Sequence, residues 1–377
     1  MTASVRSMSL GDVVRFGNGK AIKPGGEGRY PVYGSNGIIG GSDDFRFENG
    51  VIIGRVGAYC GSTAYCPDKF WASDNTLVAF PASERFDTKF LFYLLTDAKL
   101  SRYAGGAAQP LVTQTVLKQV QVHIPPLPMQ RRIAGILSAY DELMENSHRR
   151  IKLLEAMARA LYREWFVHFR APGVASNGRL DSPLGKIPKG WEVKKLKDVC
   201  RLTMGQSPKS EFYNETGEGQ PFHQGVTDFG DRFPTDRLFC TVEGRIAESG
   251  DILFSVRAPV GRMNIADKKL IIGRGLSAIR HRDDHQSFLW EQLRNRFTED
   301  DMMGNGAIFA AVTKHDMQGI MILCPPQSLV ISAEKHFVPI HDEIGNLTRQ
   351  IQNLRRTRDL LLLRLLSGQV KIKGNQP

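Results

Sequence analysis

The sequence has no long apolar run. No stretch approaches the roughly 18 apolar residues of a membrane-spanning helix, which excludes a transmembrane segment. The opening MTASVRSMSLGDVV lacks the apolar h-region and cleavage pattern of a secretory signal, so a cytoplasmic location is expected. Cysteine is sparse and odd in number: Cys60, Cys66, Cys200, Cys240 and Cys324 are the five in 377 residues. Cys60 and Cys66 have no second pair nearby, a poor zinc pattern, and reduced, partly buried thiols are expected. Catalytic signatures are missing as well. No HExxH occurs, and the nine histidines do not cluster at ligand spacing, so no metal site is expected. Gly17-Asn18-Gly19-Lys20 has part of the composition of a phosphate loop. It lacks the Walker spacing and a Ser or Thr after the lysine, so it reads as a surface turn. Ile124-Pro125-Pro126 and Cys324-Pro325-Pro326 lack the Asn or Asp and the aromatic of the amino-methyltransferase motif, so neither can hold a target amine.

Acidic residues are also in deficit. Lys and Arg number 50 against 39 Asp and Glu, a net charge of +11. For a chain without membrane spans this points to an anionic partner, nucleic acid before a membrane surface.

Between Gln130 and Phe169 proline is absent and Gly135 is the only glycine. Ile133, Leu137, Tyr140, Met144, Ile151, Leu154, Ala158, Leu161 and Trp165 recur there at alternating steps of four and three, with Ser147 the one polar residue on the stripe. Such a stripe keeps one face of an under-wound helix against a partner, the seam of a coiled coil. At 1.5 Å per residue the rod is about 60 Å long, too long for an ordinary domain helix. A matching stripe lies 200 residues on: Ala333, Phe337, Ile340, Ile344, Leu347, Ile351, Leu354, Arg358, Leu361 and Leu365. Only Arg358 is not apolar. The second rod is expected from about Ser328 to Ser367, with Gly345 its weak point.

The rods follow two globular segments. Residues 1–126 read as a mixed, strand-rich domain, with apolar runs at Val51-Ile52-Ile53 and Leu77-Val78-Ala79-Phe80, a helix around Phe90–Leu95 and a closing strand at Val120–Ile124. Pro125-Pro126-Leu127-Pro128 then fixes the start of the first rod, 127–170. A linker occupies 171–190, with Ala175-Ser176-Asn177 among its turn residues. A second domain spans 191–326, the second rod 327–368 with a cap at Gly368, and a basic tail 369–377.

The second half repeats the first. Leu10-Gly11-Asp12-Val13 matches Leu196-Lys197-Asp198-Val199. From Gly50-Val51-Ile52-Ile53 against Gly250-Asp251-Ile252-Leu253 onward the offset is 200, through Gly106 and Gly306, Thr113 and Thr313, and both Pro-Pro pairs. A chain of globule, rod, globule, rod closes most simply with the rods antiparallel and the halves related by a pseudo-two-fold axis. The expected fold is therefore α+β: two mixed α/β domains joined by two long antiparallel helices in an intramolecular coiled coil. Helix contacts are expected from Ile133, Leu137, Tyr140, Ile151, Leu154, Leu161 and Trp165 against Phe337, Ile340, Ile344, Leu347, Ile351, Leu354 and Leu361.

Paired basic globules on a spacer suit duplex DNA, whose equivalent surfaces recur about every 34 Å. The globules have diverged, with Gly34-Ser35-Asn36-Gly37 against Gly225-Val226-Thr227-Asp228, so each should read a different sequence. Base readers must be long, polar and set in turns. Arg55 and Arg257, each just after the equivalent apolar strand, are the matched candidates, since arginine pairs with guanine or holds phosphate. Lys20, Asn36 and Gln114 join them in the first half, and Gln206, Lys209, Arg262, Arg274 and Lys314 in the second.

Particular stretches carry a family likeness. They are Gln130-Arg131-Arg132-Ile133-Ala134 with Leu137 and Asp141, Arg163-Glu164-Trp165-Phe166-Val167-His168-Phe169-Arg170, Gly185-Lys186-Ile187-Pro188-Lys189-Gly190-Trp191, and Arg358-Asp359-Leu360 with Leu365-Leu366-Ser367-Gly368. Through them the chain resembles, over essentially its full length, the specificity subunit of type I restriction–modification enzymes. The resemblance implies two target-recognition domains that each read half of a split, asymmetric DNA site, and no catalysis by this chain. It implies two methyltransferase subunits docked on the helices, using S-adenosylmethionine, and two motor-nuclease subunits using ATP and Mg. No cofactor is then expected on this chain itself. Two departures stand out. The first domain begins at Ser9-Leu10-Gly11-Asp12 without the Ile-Pro-x-Gly-Trp opening, and Leu363 replaces a common proline, so the second rod should continue unkinked there. A duplicated scaffold for a sugar or peptide would explain the repeat, but neither the charge nor these stretches.

Overall fold

A strand that is apolar on both faces must be covered on both, and Val51-Ile52-Ile53 is such a strand. It is buried throughout and lies inside a six-stranded sheet of the computed structural model. The structure describes residues 5–106, 109–174, 178–299, 312–367 and 369. The chain divides into two units, Met1–Glu145 with Gln352–Pro377, and Asn146–Ile351.

In the first unit the sheet order is Val14–Asn18, Thr76–Pro81, Phe47–Gly54, Thr63–Ala72, Tyr30–Gly34, Gly37–Ser42. All neighbours are antiparallel except Tyr30–Gly34 beside Thr63–Ala72, which is parallel. Helix Thr88–Asp97, capped by the Asp87 carboxylate on the Phe90 N–H, covers one face with Phe90, Leu91 and Leu95 against Val51, Ile53, Leu77 and Ala79. Ile52, Cys66, Phe70 and Val78 fill the other face. Gln130 anchors the first long helix to this domain. Its amide donates to the carbonyls of Arg85 at 3.1 Å and Pro125 at 2.8 Å, and its oxygen accepts the Asp87 N–H at 2.9 Å.

The second unit repeats this order. Cys200–Met204, Leu276–His281, Ile252–Ser255 and Met263–Ile265 form its four-stranded sheet. The parallel pairing recurs, Phe222 opposite Ile271 as Val32 is opposite Trp71. Helix Gln286–Arg294 takes the place of Thr88–Asp97. Strand Met321–Cys324 pairs with Glu192–Lys195 just before the second long helix, as Gln121–Ile124 pairs with Arg6–Ser9 before the first.

The register corrects one sequence match. Ile53 pairs with Leu77, and Phe254 pairs with Ser277. Within this strand the offset is therefore 201, the separation of Ile53 and Phe254, and Ile252 rather than Asp251 stands for Val51. A slip of one residue would put every side chain on the wrong face. Asp251 instead faces Arg280, Oδ1 to Nε at 2.6 Å.

The long helices run Leu127–Tyr162 and Gln327–Leu366. Every residue of both apolar stripes is buried or half-buried. In the first unit Ile133 and Leu137 share a core with Leu362 and Leu365. In the second, Ala158 shares one with Ala333 and Phe337. In both units the two helix segments run antiparallel: Asp141 meets Arg358, while Arg150 meets Glu343 and Trp165 meets His336.

The first rod does not stay α-helical to Phe169. Arg163–Val167 forms one π-helical turn, closed by the His168 N–H on the Arg163 carbonyl at 2.8 Å. The extra residue moves Phe166 into the core, against Phe288 at 4.8 Å and Trp191 at 5.9 Å, and leaves Trp165 half-buried on His336. The second rod passes through Gly345 and Leu363, but it also holds Pro339, which the stripe does not reveal. Gly306, the Gly368 cap, Ala175-Ser176-Asn177 and the tail apart from Gln369 lie outside the described residues.

Candidate nucleic-acid interface

In the first unit several turns meet at one end of the sheet. Strand Val14–Asn18 runs on into Gly19 and Lys20, whose N–H groups bond the carbonyls of Thr76 at 3.1 Å and Ala72 at 2.9 Å. A Cβ on Gly19 would collide with the Ser73 carbonyl, so only glycine lets the two turns approach. Ser35, beside Asn36, donates its hydroxyl to the Asn75 carbonyl at 2.6 Å. The Arg55 N–H shares that carbonyl at 2.9 Å, and the Arg55 carbonyl accepts from Val112 at 3.0 Å. Gln114, first residue of the short helix Gln114–Lys118, donates its amide to Asn18 Oδ1 at 2.8 Å. Lys20, Asn36, Arg55 and Gln114, far apart in sequence, are thus brought to one edge.

The second unit builds the same edge. Gly205 and Gln206 bond Leu276 at 2.9 Å and Ile272 at 3.0 Å, so Gln206 occupies the position of Lys20. Lys314, after the Thr313 cap, occupies that of Gln114. Arg274 lies in the turn equivalent to Ser73–Thr76, its N–H on Ser207 Oγ at 3.2 Å. Arg262 donates its N–H to Ser255 Oγ at 2.9 Å. Lys209 follows Gln206 in the same run, with Glu211 3.8 Å from its ammonium.

Arg55 and Arg257 are not structural counterparts. Val256 N–H bonds the Gly275 carbonyl, and Val312 N–H bonds that of Val256, the bonds that Arg55 makes to Asn75 and Val112. Val256 therefore stands for Arg55, and Arg257 lies one residue further, exposed. Arg55 is half-buried, with a buried Nε that has no hydrogen-bond partner among the described residues. Lys20, Arg55, Arg257, Arg262, Arg274 and Lys314 have no ion-pair partner among the described residues, while Lys268 is 2.6 Å from Asp236 and Arg237 is 2.9 Å from Asp228. Cations left unpaired beside close-packed turns are what an incoming phosphate can neutralise.

Ser207, next to Gln206, and Gln224 belong to this edge, and Gln224 escapes a linear reading because only the parallel pairing of His223 with Ile272 brings it beside Ser207. Beneath them His223 is fully buried, and burial holds it below the usual histidine range against the pull of Asp236. Among the described residues no group of His, Cys, Asp and Glu is placed to hold a metal ion.

Residues 4–156 and 188–333 match the type I restriction modification DNA specificity domain, once in each half of the chain. The chain belongs to that family. A Methanocaldococcus jannaschii protein named as the MjaX specificity subunit of a type I restriction enzyme is 32% identical over 85% of this chain and 76% of its own length. The MjaIX specificity subunit of the same organism is 26% identical over 76% of this chain and 70% of its own. In fold, the crystal structure of a type I S subunit from M. genitalium superimposes with a TM-score of 0.67 at 16% identity, covering 99% of this chain and 98% of that one. The specificity subunit's role is recognition of DNA, which sets aside a scaffold for a sugar or peptide.

Proposed function

We propose that this specificity subunit performs no chemistry and selects a split, asymmetric DNA site for a type I complex. One observation carries the reading: the same sheet edge in both units gathers unpaired cations and amides, and the side chains differ between the two. The first edge would present Lys20, Asn36, Arg55 and Gln114 to one half-site. The second would present Gln206, Lys209, Arg257, Arg262, Arg274 and Lys314 to the other. Phosphate contacts would set register, and arginine or amide groups would select bases in the major groove.

Residues 1–126 and 191–326 would be the recognition domains. The helices of 127–170 and 327–368 would form an antiparallel coiled coil on a pseudo-two-fold axis and fix the number of unread base pairs. The antiparallel packing within each unit and the common strand order support this. Two methyltransferase subunits would dock on the helices and two motor-nuclease subunits would join them, in the cytoplasm. S-adenosylmethionine, ATP and Mg would be bound by those partners, and this chain would hold none of them.

The test is adenine methylation across the host genome, mapped by long-read sequencing with and without the gene. Loss of one split, asymmetric methylated motif on deletion is the expected outcome. An unchanged methylation map in a host whose methyltransferase copurifies with the chain would refute the reading.

A further inference from the structure

We propose that Gln224 and Arg274 are the base-reading pair of the second recognition domain and that they select guanine. This rests on that edge being the DNA-facing one.

The two units trade side-chain volume at one backbone site. The Ser73 N–H bonds the Tyr33 carbonyl at 2.9 Å, and the Gly273 N–H bonds that of His223 at 2.9 Å. Gln224 therefore stands where the first unit has Gly34, and Gly273-Arg274-Gly275 where it has Ser73-Asp74-Asn75. The Gly34 position is closed to a side chain, since a Cβ there would lie 2.9 Å from Ile39 Cγ2. In the second unit the room comes from the opposite strand. A Cβ on Gly273 would lie 2.8 Å from Gln224 Oε1, and one on Gly275 would lie 2.5 Å from the Gln224 carbonyl. The paired glycines admit a long amide that the first unit excludes.

That amide is exposed yet held. Ser207 Oγ accepts the Arg274 N–H at 3.2 Å, so its own proton goes to Gln224 Oε1 at 2.8 Å. The oxygen is engaged by Ser207 and packed on Gly273. The NH2 group has no partner among the described residues, and the exposed Arg274 guanidinium has no ion pair among them. The pair thus offers donors, the Gln224 NH2 and the Arg274 guanidinium, while its one acceptor oxygen is engaged by Ser207. Guanine presents two acceptors in the major groove, N7 and O6, and suits such a pair. Adenine also needs an acceptor for its amino group, and cytosine presents a donor. The first unit carries Asp74 in place of Arg274, so the two half-sites cannot be read alike.

The experiment is selection of duplexes from a randomised library by the purified full chain, followed by sequencing of the bound fraction. The wild type should enrich a split motif with guanine at one position of one half-site. Gln224→Ala and Arg274→Ala should each cut that guanine preference about tenfold and leave the other half-site unchanged. Ser207→Ala frees the amide oxygen and should admit adenine at the same position. It removes a single hydroxyl, so it carries the test if Gln224→Ala does not fold. Gln224→Glu should turn the preference toward cytosine. A wild-type motif indifferent to all four substitutions overturns the assignment of this pair. Failure of the wild type to enrich any motif overturns the DNA-facing edge itself.

Discussion

The Arg358 guanidinium donates to Asp141 Oδ1 at 2.5 Å, and Asp141 Oδ2 accepts the Tyr93 hydroxyl at 2.5 Å. Arg358 is the one charged residue on the second stripe, and its acid lies on the facing helix of the same unit. Tyr93 belongs to the helix that covers the sheet, so one carboxylate ties both long helices to the domain. Burial and then the Asp141 hydrogen bond push the Tyr93 phenol well above its usual range.

The pair is only partly screened, with the arginine side chain 25% exposed and the aspartate 31%. Removing one partner strands the other, which costs more than the pair contributes. Asp141→Ala should therefore destabilise the first unit by about 2 kcal/mol in a urea melt, and Tyr93→Phe by about 1 kcal/mol. The double replacement Arg358→Met with Asp141→Leu should recover most of that loss. Strictly additive effects would show that the two residues are uncoupled.

Asp141 plus 200 is His341, and the second unit uses different chemistry there. Arg232 Nη2 lies 2.9 Å from His341 Nδ1, and Glu291 Oε1 lies 2.9 Å from Nε2. A guanidinium can only donate, so Nδ1 accepts, Nε2–H donates to Glu291, and the ring is neutral. Burial holds His341 below the usual range, with Arg232 and Arg294 adding to the effect and Glu291 opposing it. Burial likewise pushes Arg232 down to about 10. His223 and His281, also in the second unit, are lowered by burial too. Each folded value lies below the unfolded one near 6.5, so the unfolded chain binds more protons in that window. The stability is complete above about pH 6.5 and is lost as pH falls below it. Of the four tryptophans, Trp165, Trp191 and Trp290 report on this unit and Trp71 on the other. In a Trp71→Phe background the fluorescence-detected midpoint should drop between about pH 7.5 and about pH 5.5, and His341→Gln should flatten the slope. An unaltered slope in that variant would remove His341 from the account.

Pro339 interrupts the bond ladder of the second helix, because it has no N–H for the Lys335 carbonyl and its ring crowds that turn. The residue is exposed, so its side chain fills no core. Pro339→Ala should raise stability by about 1–3 kcal/mol, read as a higher urea midpoint at unchanged slope. A lower midpoint would mean that the helix needs the proline's geometry.

The long helices were legible because a 4-3 stripe recurs in each with a single polar position, Ser147 in the first and Arg358 in the second, and burial of Ile133, Leu137, Phe337 and Ile344 follows from it. The strand order was not legible, since the parallel neighbours Tyr33 and Ala72 are far apart in the chain. Matching Gly50 to Gly250 misplaced one strand by a residue, because a glycine identity outweighed the inward face of Ile252. The pairing of Arg257 with Arg55 rested only on both following that strand: an offset of 200 sets Arg55 against Ser255 and the true offset of 201 sets it against Val256. The π turn at Arg163–Val167 was hidden by adjacent aromatics, either of which fits an apolar stripe. Lys20, Gln206, Gln114 and Lys314 were legible one by one as turn residues. Their pairing follows from the offsets of the repeat, 186 for Lys20 with Gln206 and 200 for Gln114 with Lys314, whereas Gln224 was not legible, because its position depends on Gly273 and Gly275, about fifty residues away.

The helices offer a direct test of the spacing role proposed for them. Four residues inserted after Asn146, with four more after Asn346, lengthen each helix by about 6 Å. The positions suit each other, since Arg150 already meets Glu343 at 2.5 Å and the segments run antiparallel there. An insertion of four is a stutter, which shifts the stripe slightly but keeps it on the same face. At about 3.4 Å per base pair the unread spacer should grow by about two base pairs with both half-sites unchanged. Methylation mapping of a host carrying the lengthened chain reads spacer and half-sites together. Half-sites that change while the spacer stays fixed would show that the domains, and not the helices, set the spacing.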